Sequence, residues 1–267
     1  MAINPKTARV EVVGNPDFWQ IAHAVNPQAF LAIQALGILW EMLHSKPVHG
    51  ALPVAIGRMM DVSFKSLHAV VNLTLNGFDT DAMRVARSMW EYEVISDYLR
   101  KNPTLVDDYN DFLFAAIQTE LELLLEHAPD LLKTQEPGFV EQAKEQIKAA
   151  ERFRTSKGKL KPSWKDVSIA KMAEDTGRGL AYKSIYRWGS GFVHGDITSI
   201  VANFDIQRGH VDVGPSTKYL DLALRTAHHA ELCLMTDFNE TAGQGLDVDI
   251  QNAADAFKAA WTPEDQK

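Results

Sequence analysis

The sequence predicts an all-α fold: a single multi-helix, bundle-like domain over 1–267, with one small β-hairpin near 203–214. Three observations predict it. Apolar residues recur at three- and four-residue spacing along long stretches, and prolines and glycines fall mostly at the ends of those stretches. Strand-like alternation appears in the stretch Asp205 to Val213, around the turn Arg208-Gly209. The 267 residues, 46% of them apolar and 23% charged, suffice for a sizeable core, and no segment is so poor in apolar side chains that it must stay unfolded.

The elements follow in order. Asn26-Pro27 pairs a capping residue with a proline at the first helical position, and the apolar face from Ala29 to Leu43 marks a central helix. A second helix follows Pro53 and ends at Asp61-Val62-Ser63, where Asp61 or Ser63 would cap a third that Asn76-Gly77 stops after Leu75. These N-terminal helices, within 17–60, pack on the remainder. Asp79-Thr80-Asp81 supplies a capped, acidic start for a helix through Arg100, closed by Asn102-Pro103. A long helix then reaches Leu132, and Pro137 starts another to Arg154. Thr155 to Pro162 reads as an exposed basic loop, and Ser163 with Asp166 as the capping box of a helix ending near Gly177. A helix from Leu180 carries Tyr182, Tyr186, Ser190 and His194; Ser216-Thr217 cap one to Glu240; and the tail after Gly243 adds a peripheral helix.

Composition also bounds function. One cysteine, Cys233, excludes an internal disulfide and a cysteine-rich zinc site and suits a reducing compartment. The first residues, Met1 to Lys6, have no export signature, and the apolar run from Ala29 to Leu43 is interrupted by Gln34 and Glu41 and is too short to span a bilayer. The expectation is a cytoplasmic protein with no membrane association. A net charge of -8 argues against broad nucleic-acid binding. One stretch departs from it: nine Lys or Arg against three acids lie between Lys144 and Lys171, which reads either as a solvated helix and loop or as a phosphate-facing patch.

Two polar constellations could carry chemistry. Arg84, Arg87, Ser88 and Glu91 fall on one face of the helix beginning at Asp79, whereas Met83, Trp90, Val94 and Tyr98 take another. They form either a solvated Arg87–Glu91 ion pair or one wall of a pocket. Tyr182, Tyr186, Ser190 and His194 step by four along a second helix, with Arg187 two turns before His194. Gly189, Gly191 and Gly195 around them cost helix stability and suggest close approach of a backbone or ligand. The alternative is a row of core tyrosines with His194 as a helix cap. A weaker metal set would join His228, His229 and Glu231 to His194 and Glu91, but no paired-histidine spacing supports it.

The run Arg87-Ser88-Met89-Trp90-Glu91 through Tyr98-Leu99, then Trp164 to Ile169 and Ala173, then Tyr182-x3-Tyr186-x3-Ser190-x2-Val193-His194-Gly195 resembles the bacterial domain-of-unknown-function family 5677 (DUF5677) over roughly 64–231. That resemblance implies a helical fold and a shared site without naming a reaction. A looser resemblance is to the HEPN superfamily, whose ribonucleases and toxins carry arginine, four to six residues, then histidine near a helix end; Arg187-x6-His194 fits the loose form. The tight form would put arginine where Gly189 stands, so Arg187, or Arg87 from the other helix, must substitute.

The HEPN resemblance implies action on RNA or a nucleotide, as a metal-independent ribonuclease of toxin or phage-defence type, acting as a homodimer and needing no cofactor or metal. His194 would be the base or acid, Arg87 or Arg187 the phosphate clamp, Tyr186 and Ser190 positioning donors, and Glu91 the orienting carboxylate. Tyr182 and Arg84 would line the substrate site, and Trp164 or Trp188 would stack on a base. The competing reading is a non-catalytic binding or regulatory module with a small ligand or partner protein in a polar cleft.

Overall fold

The computed structural model describes residues 16–128, 130, 151–161, 163–165, 167–194, 204–205, 210–211 and 215–262. The fold is all-α. Helices α1 (Pro16–Val25), α2 (Pro27–Leu43), α3 (Ala51–Leu75), α4 (Asp79–Lys101) and α5 (Val106–His127) come first, α5 being entered through a 3-10 turn, Pro103–Leu105. After the short α6 (Ile169–Asp175), three consecutive pieces, Gly179–Ala181, a π-helical Tyr182–Tyr186 and Arg187–His194, join through αR residues into one helix, α7. Helices α8 (Leu220–Ala242) and α9 (Asp247–Trp261) close the order. The expected hairpin is present as a two-residue antiparallel pair, β1 (Phe204–Asp205) and β2 (His210–Val211).

The long helices α3, α4 and α8 pack on one another and hold the core. Met60 of α3, Met83 and Met89 of α4, and Leu224 and Leu234 of α8 have no exposed surface, and each such side chain contributes about 1.5–3 kcal/mol by leaving water. Helices α6 and α7 lie on α4, while α9 lies on α2 and α8. Asn26 Oδ1 accepts from Ala29 N at 3.0 Å, the expected N-cap of α2, and its amide nitrogen donates to Ala260 O of α9 at 3.1 Å.

Several boundaries differ from the sequence reading. α3 runs unbroken through Asp61-Val62-Ser63. Ser63 is fully buried, and Asp61 accepts from Trp40 Nε1 at 3.2 Å and pairs with His44 at 2.9 Å instead of capping. No glycine or proline interrupts that stretch, so two polar residues do not break it. The cap of α6 is Ser168, whose Oγ accepts from Lys171 N, and the Ser163 hydroxyl accepts from Lys165 N; Asp166 lies outside the described residues, as do Leu132 and the helix expected from Pro137, except its last turn Glu151–Phe153.

Asp79 does not cap α4 either. Its Oδ2 accepts from Tyr219 N at 2.7 Å and Ser216 Oγ at 3.0 Å, tying the start of α4 to the entrance of α8. Gly77 completes that tie: Ser216 N donates to its carbonyl at 3.0 Å, its φ is +79°, and a Cβ there would lie 2.4 Å from Pro215. Only glycine meets both conditions.

Candidate functional site

The two helices singled out by the sequence meet. Residues four apart in an α-helix drift about 40° round the axis, whereas the wider π turn over Tyr182–Tyr186 drifts the other way. The alternation keeps Tyr182, Tyr186 and Ser190 on the edge of α7 that faces α4. The Tyr182 and Tyr186 rings stack with centroids 5.0 Å apart, and Tyr186 also lies 5.2 Å from Trp90.

Arg87 enters this seam from α4 and is 11% exposed. Its Nε donates to Ser190 Oγ at 2.9 Å and one terminal nitrogen donates to Tyr186 Oη at 2.6 Å. The same nitrogen lies 3.0 Å from Glu91 Oε1, to which the Tyr186 hydroxyl donates at 2.7 Å. The Ser190 hydroxyl in turn donates to Tyr186 O at 2.9 Å. The guanidinium carbon sits 4.4 Å from the Tyr186 ring centroid. Burial, then the Glu91 carboxylate, push the Tyr186 phenol up to about 12, so it stays a neutral donor at physiological pH. Glu91, 32% exposed, is the open side of the network.

Gly189 packs closely on this arginine: a Cβ at 189 would lie 3.3 Å from the Arg87 Cβ, a tight contact, and 3.6 Å from its Cγ and Cδ, ordinary ones. Arg87 thus fills the space that a side chain at 189 would need.

The other expected residues fall as follows. Arg84 Nε donates to Phe192 O at 2.7 Å and its guanidinium pairs with Asp81, so it fastens α4 to α7. Ser88 Oγ donates to Arg84 O at 3.4 Å. Arg187 is exposed. His194 ends α7 one turn beyond Ser190, but its side chain and that of Trp188 lie outside the described residues. Trp164 is 7% exposed and packs edge-on against Tyr98 and Tyr109; its indole belongs to the core and is not presented to a base. In the basic stretch, Arg152 pairs with Asp108 at 2.8 Å and Asp111 at 2.6 Å, and Lys171 with Asp175 at 2.5 Å. The exposed turn at Lys157 to Lys159, closed by a bridge between Arg154 and Leu160, keeps its charges outward; 144–150 lie outside the described residues.

Of the weaker metal set, Glu91 lies in the α4–α7 seam and His228 and Glu231 are buried on α8, while the His194 side chain lies outside the described residues. His228 is fully buried against Phe257 and accepts from Trp261 Nε1 at 3.3 Å; burial and His229 lower it to about 4. Glu231 is fully buried with no hydrogen-bond partner for either oxygen among the described residues, and burial pushes it up to about 8.

A second polar cluster, which the sequence reading missed, occupies the opposite side of α4. Arg178, just before α7, donates through Nε to Glu93 Oε1 at 2.6 Å, through a terminal nitrogen to Asp97, and more weakly to Thr176 O. Asp97 is also held by Arg100 at 3.0 Å and Lys101 at 3.1 Å, and Arg100 continues to Asp237 and Glu240. Burial alone would raise Glu93 and Asp97; His229 and Arg178 outweigh it for Glu93, and Arg178 and Lys101 for Asp97, so both carboxyls sit below their ordinary values. The local signals were Glu93 and Asp97, four apart, and Asp97 with Arg100 and Lys101, three and four apart.

Among the described residues, no helix is long and apolar enough to cross a membrane. The model of a family of unknown function, DUF5677, matches residues 54–211, more than half of the chain. It begins about a turn into α3, ahead of the resemblance read from the motifs, and ends before α8. No curated protein and no solved structure matches the chain.

Proposed function

The chain belongs to the family of unknown function DUF5677, and from that premise we propose that it is an HEPN-like protein whose α4–α7 seam acts on RNA or a nucleotide. One observation carries the reading: Arg87 of α4 fills the space beside Gly189, the position at which the tight HEPN motif would place its arginine. The stem of Arg87 runs past Gly189 and its guanidinium reaches Ser190, so a cation comes to this part of α7 from a different helix.

In this reading His194 takes or returns the proton of a ribose 2′-hydroxyl, and Arg87 stabilises charge developing on the phosphate. Ser190 and Tyr186 fix the guanidinium plane, and Glu91 holds it from the solvent side. Arg187, exposed on the same helix, is the second cation within reach of a polyanion, and the turn at Lys157 and Lys159 guides it. A toxin or phage-defence role and a homodimer with facing α7 helices belong to the same proposal. The exposure of Leu180 and Val193 on α7 supports the second.

A specific observation favours a second reading. Arg87 Nε and one of its two terminal nitrogens are already engaged by Ser190, Tyr186 and Glu91, as in a module that binds without reacting. Cleavage of total and transfer RNA by purified protein in excess chelator, beside His194→Ala and Arg87→Ala, separates the two. Cutting that survives chelation and disappears in both variants supports the ribonuclease; an inert wild type leaves the binding module.

A further inference from the structure

Beyond Arg178, the cluster on the far side of α4 has a second half. Glu93 follows Glu91 by two residues, about 200° round the helix, and is 1% exposed. Its Oε1 is taken by Arg178, while Oε2 lies 3.3 Å from His229 Nδ1 of α8. Cys233, one turn further along α8, places Sγ 3.8 Å from both ring nitrogens of His229. One oxygen, one nitrogen and one sulfur donor therefore lie within 4.8 Å of one another.

We propose that Glu93, His229 and Cys233 form a three-ligand site for a borderline-soft divalent cation of the zinc class. Zinc bonds of about 2.0–2.3 Å to carboxylate, imidazole and thiolate put tetrahedral neighbours roughly 3.3–3.6 Å apart. The 3.3 Å separation of oxygen and nitrogen meets that range, the 3.8 Å separation of nitrogen and sulfur lies just above it, and oxygen and sulfur lie within 4.8 Å. A thiolate with an imidazole selects zinc-like ions over magnesium or calcium, which want an all-oxygen shell. Three protein ligands leave a fourth position for water, and the His229 side chain, 50% exposed, marks the side from which ion and water arrive.

The surroundings suit such a site. Arg178 fixes the carboxylate through its other oxygen and is itself held by Asp97 and Thr176 O, as outer groups fix metal ligands. Charge also balances. Without metal, a carboxylate, an imidazolium and a thiol sum to zero; with a divalent ion, the imidazolium and thiol each release a proton and the sum is again zero. Arg178 consequently meets no additional positive charge when the ion binds.

The test uses full-length protein stripped with chelator, kept reduced by a phosphine, and titrated with cobalt(II) and then zinc. The expected result is one equivalent of cobalt giving the thiolate-to-cobalt charge-transfer band, displaced by zinc. Cys233→Ser should abolish the band and His229→Asn should weaken binding by about 100-fold or more. His229 and Cys233 are the less buried ligands, so these variants decide the matter even if Glu93→Gln fails to fold. Absence of the band in the wild type, or unchanged affinity in both folded variants, overturns the site. RNA is not involved, so the outcome is independent of the α4–α7 reading.

Discussion

Gly189 of α7 and Arg87 of α4 are in contact along the seam, with the absent Cβ of one 3.3 Å from the Cβ of the other. Beside that contact the guanidinium reaches Ser190 and Tyr186. Gly189→Arg, which would recreate the tight histidine-proximal motif in sequence, should therefore not restore it in structure. It should destabilise the protein by about 1–3 kcal/mol through overpacking. Gly189→Ala gains up to about 1 kcal/mol of helix propensity against a contact a few tenths of an ångström too tight, so its midpoint should move little. Urea unfolding of both checks this, and a stabilised Gly189→Arg would contradict it.

Tyr186→Phe removes the hydroxyl between Arg87 and Glu91 but leaves their direct ion pair at 3.0 Å. The expected loss is about 0.5–1.5 kcal/mol near neutrality. The folded phenol lies at about 12 against an ordinary 10.0, so above pH 10 the unfolded chain ionises first and wild-type stability falls as pH rises towards 12. Tyr186→Phe should show a shallower alkaline loss, read by thermal melts across that window. Equal slopes would mean that Tyr186 titrates normally.

Arg178→Met should be the more damaging change. It leaves Glu93, 1% exposed, with His229 as its only remaining partner of those described, and breaking a buried pair costs on the order of 3 kcal/mol. The depressed Glu93 and Asp97 carboxyls contribute stability present above their ordinary values, 4.5 and 3.8, and lost as pH falls. The deficit of Arg178→Met should therefore shrink in acid. A deficit constant from pH 7 down to unfolding would assign Arg178 a packing role only.

Glu231 works in the opposite direction. Its carboxyl is pushed up from 4.5 to about 8, so the wild type loses stability as pH rises between those values. Glu231→Gln keeps the shape without the charge and should stabilise the protein by about 1–3 kcal/mol above pH 8, with little effect near pH 5. A variant that is less stable at both ends would show that the carboxylate has a partner it needs.

How much of this is legible depends on sequence separation. Arg87 to Glu91 and Tyr186 to Ser190 are four-residue steps, so helical periodicity alone places each pair on one face. Their meeting across about a hundred residues rests on family resemblance, and the π turn that aligns the row leaves no signal. Arg178 and Glu93 are 85 apart and His229 and Glu93 136 apart, so only packing of α4 against α8 and the entrance of α7 brings them together. Ser63 misleads because a polar residue reads as a cap where tertiary burial, not local capping, decides its place. Trp164 misleads likewise: an aromatic near lysines reads as a stacking platform until Tyr98 and Tyr109 close over it.

The tie between Asp79 and Tyr219 has a bearing on how the chain is made. Helices α3 and α4 leave the ribosome with their apolar sides open, because the third wall, α8, is still more than a hundred residues from synthesis. A fragment ending at residue 211, where the family match stops, would never receive Leu224, Leu234 or Phe238 and would keep that greasy surface permanently in water. The segment that the family match covers is thus expected not to fold alone, and truncation to it should yield aggregates in place of a smaller domain.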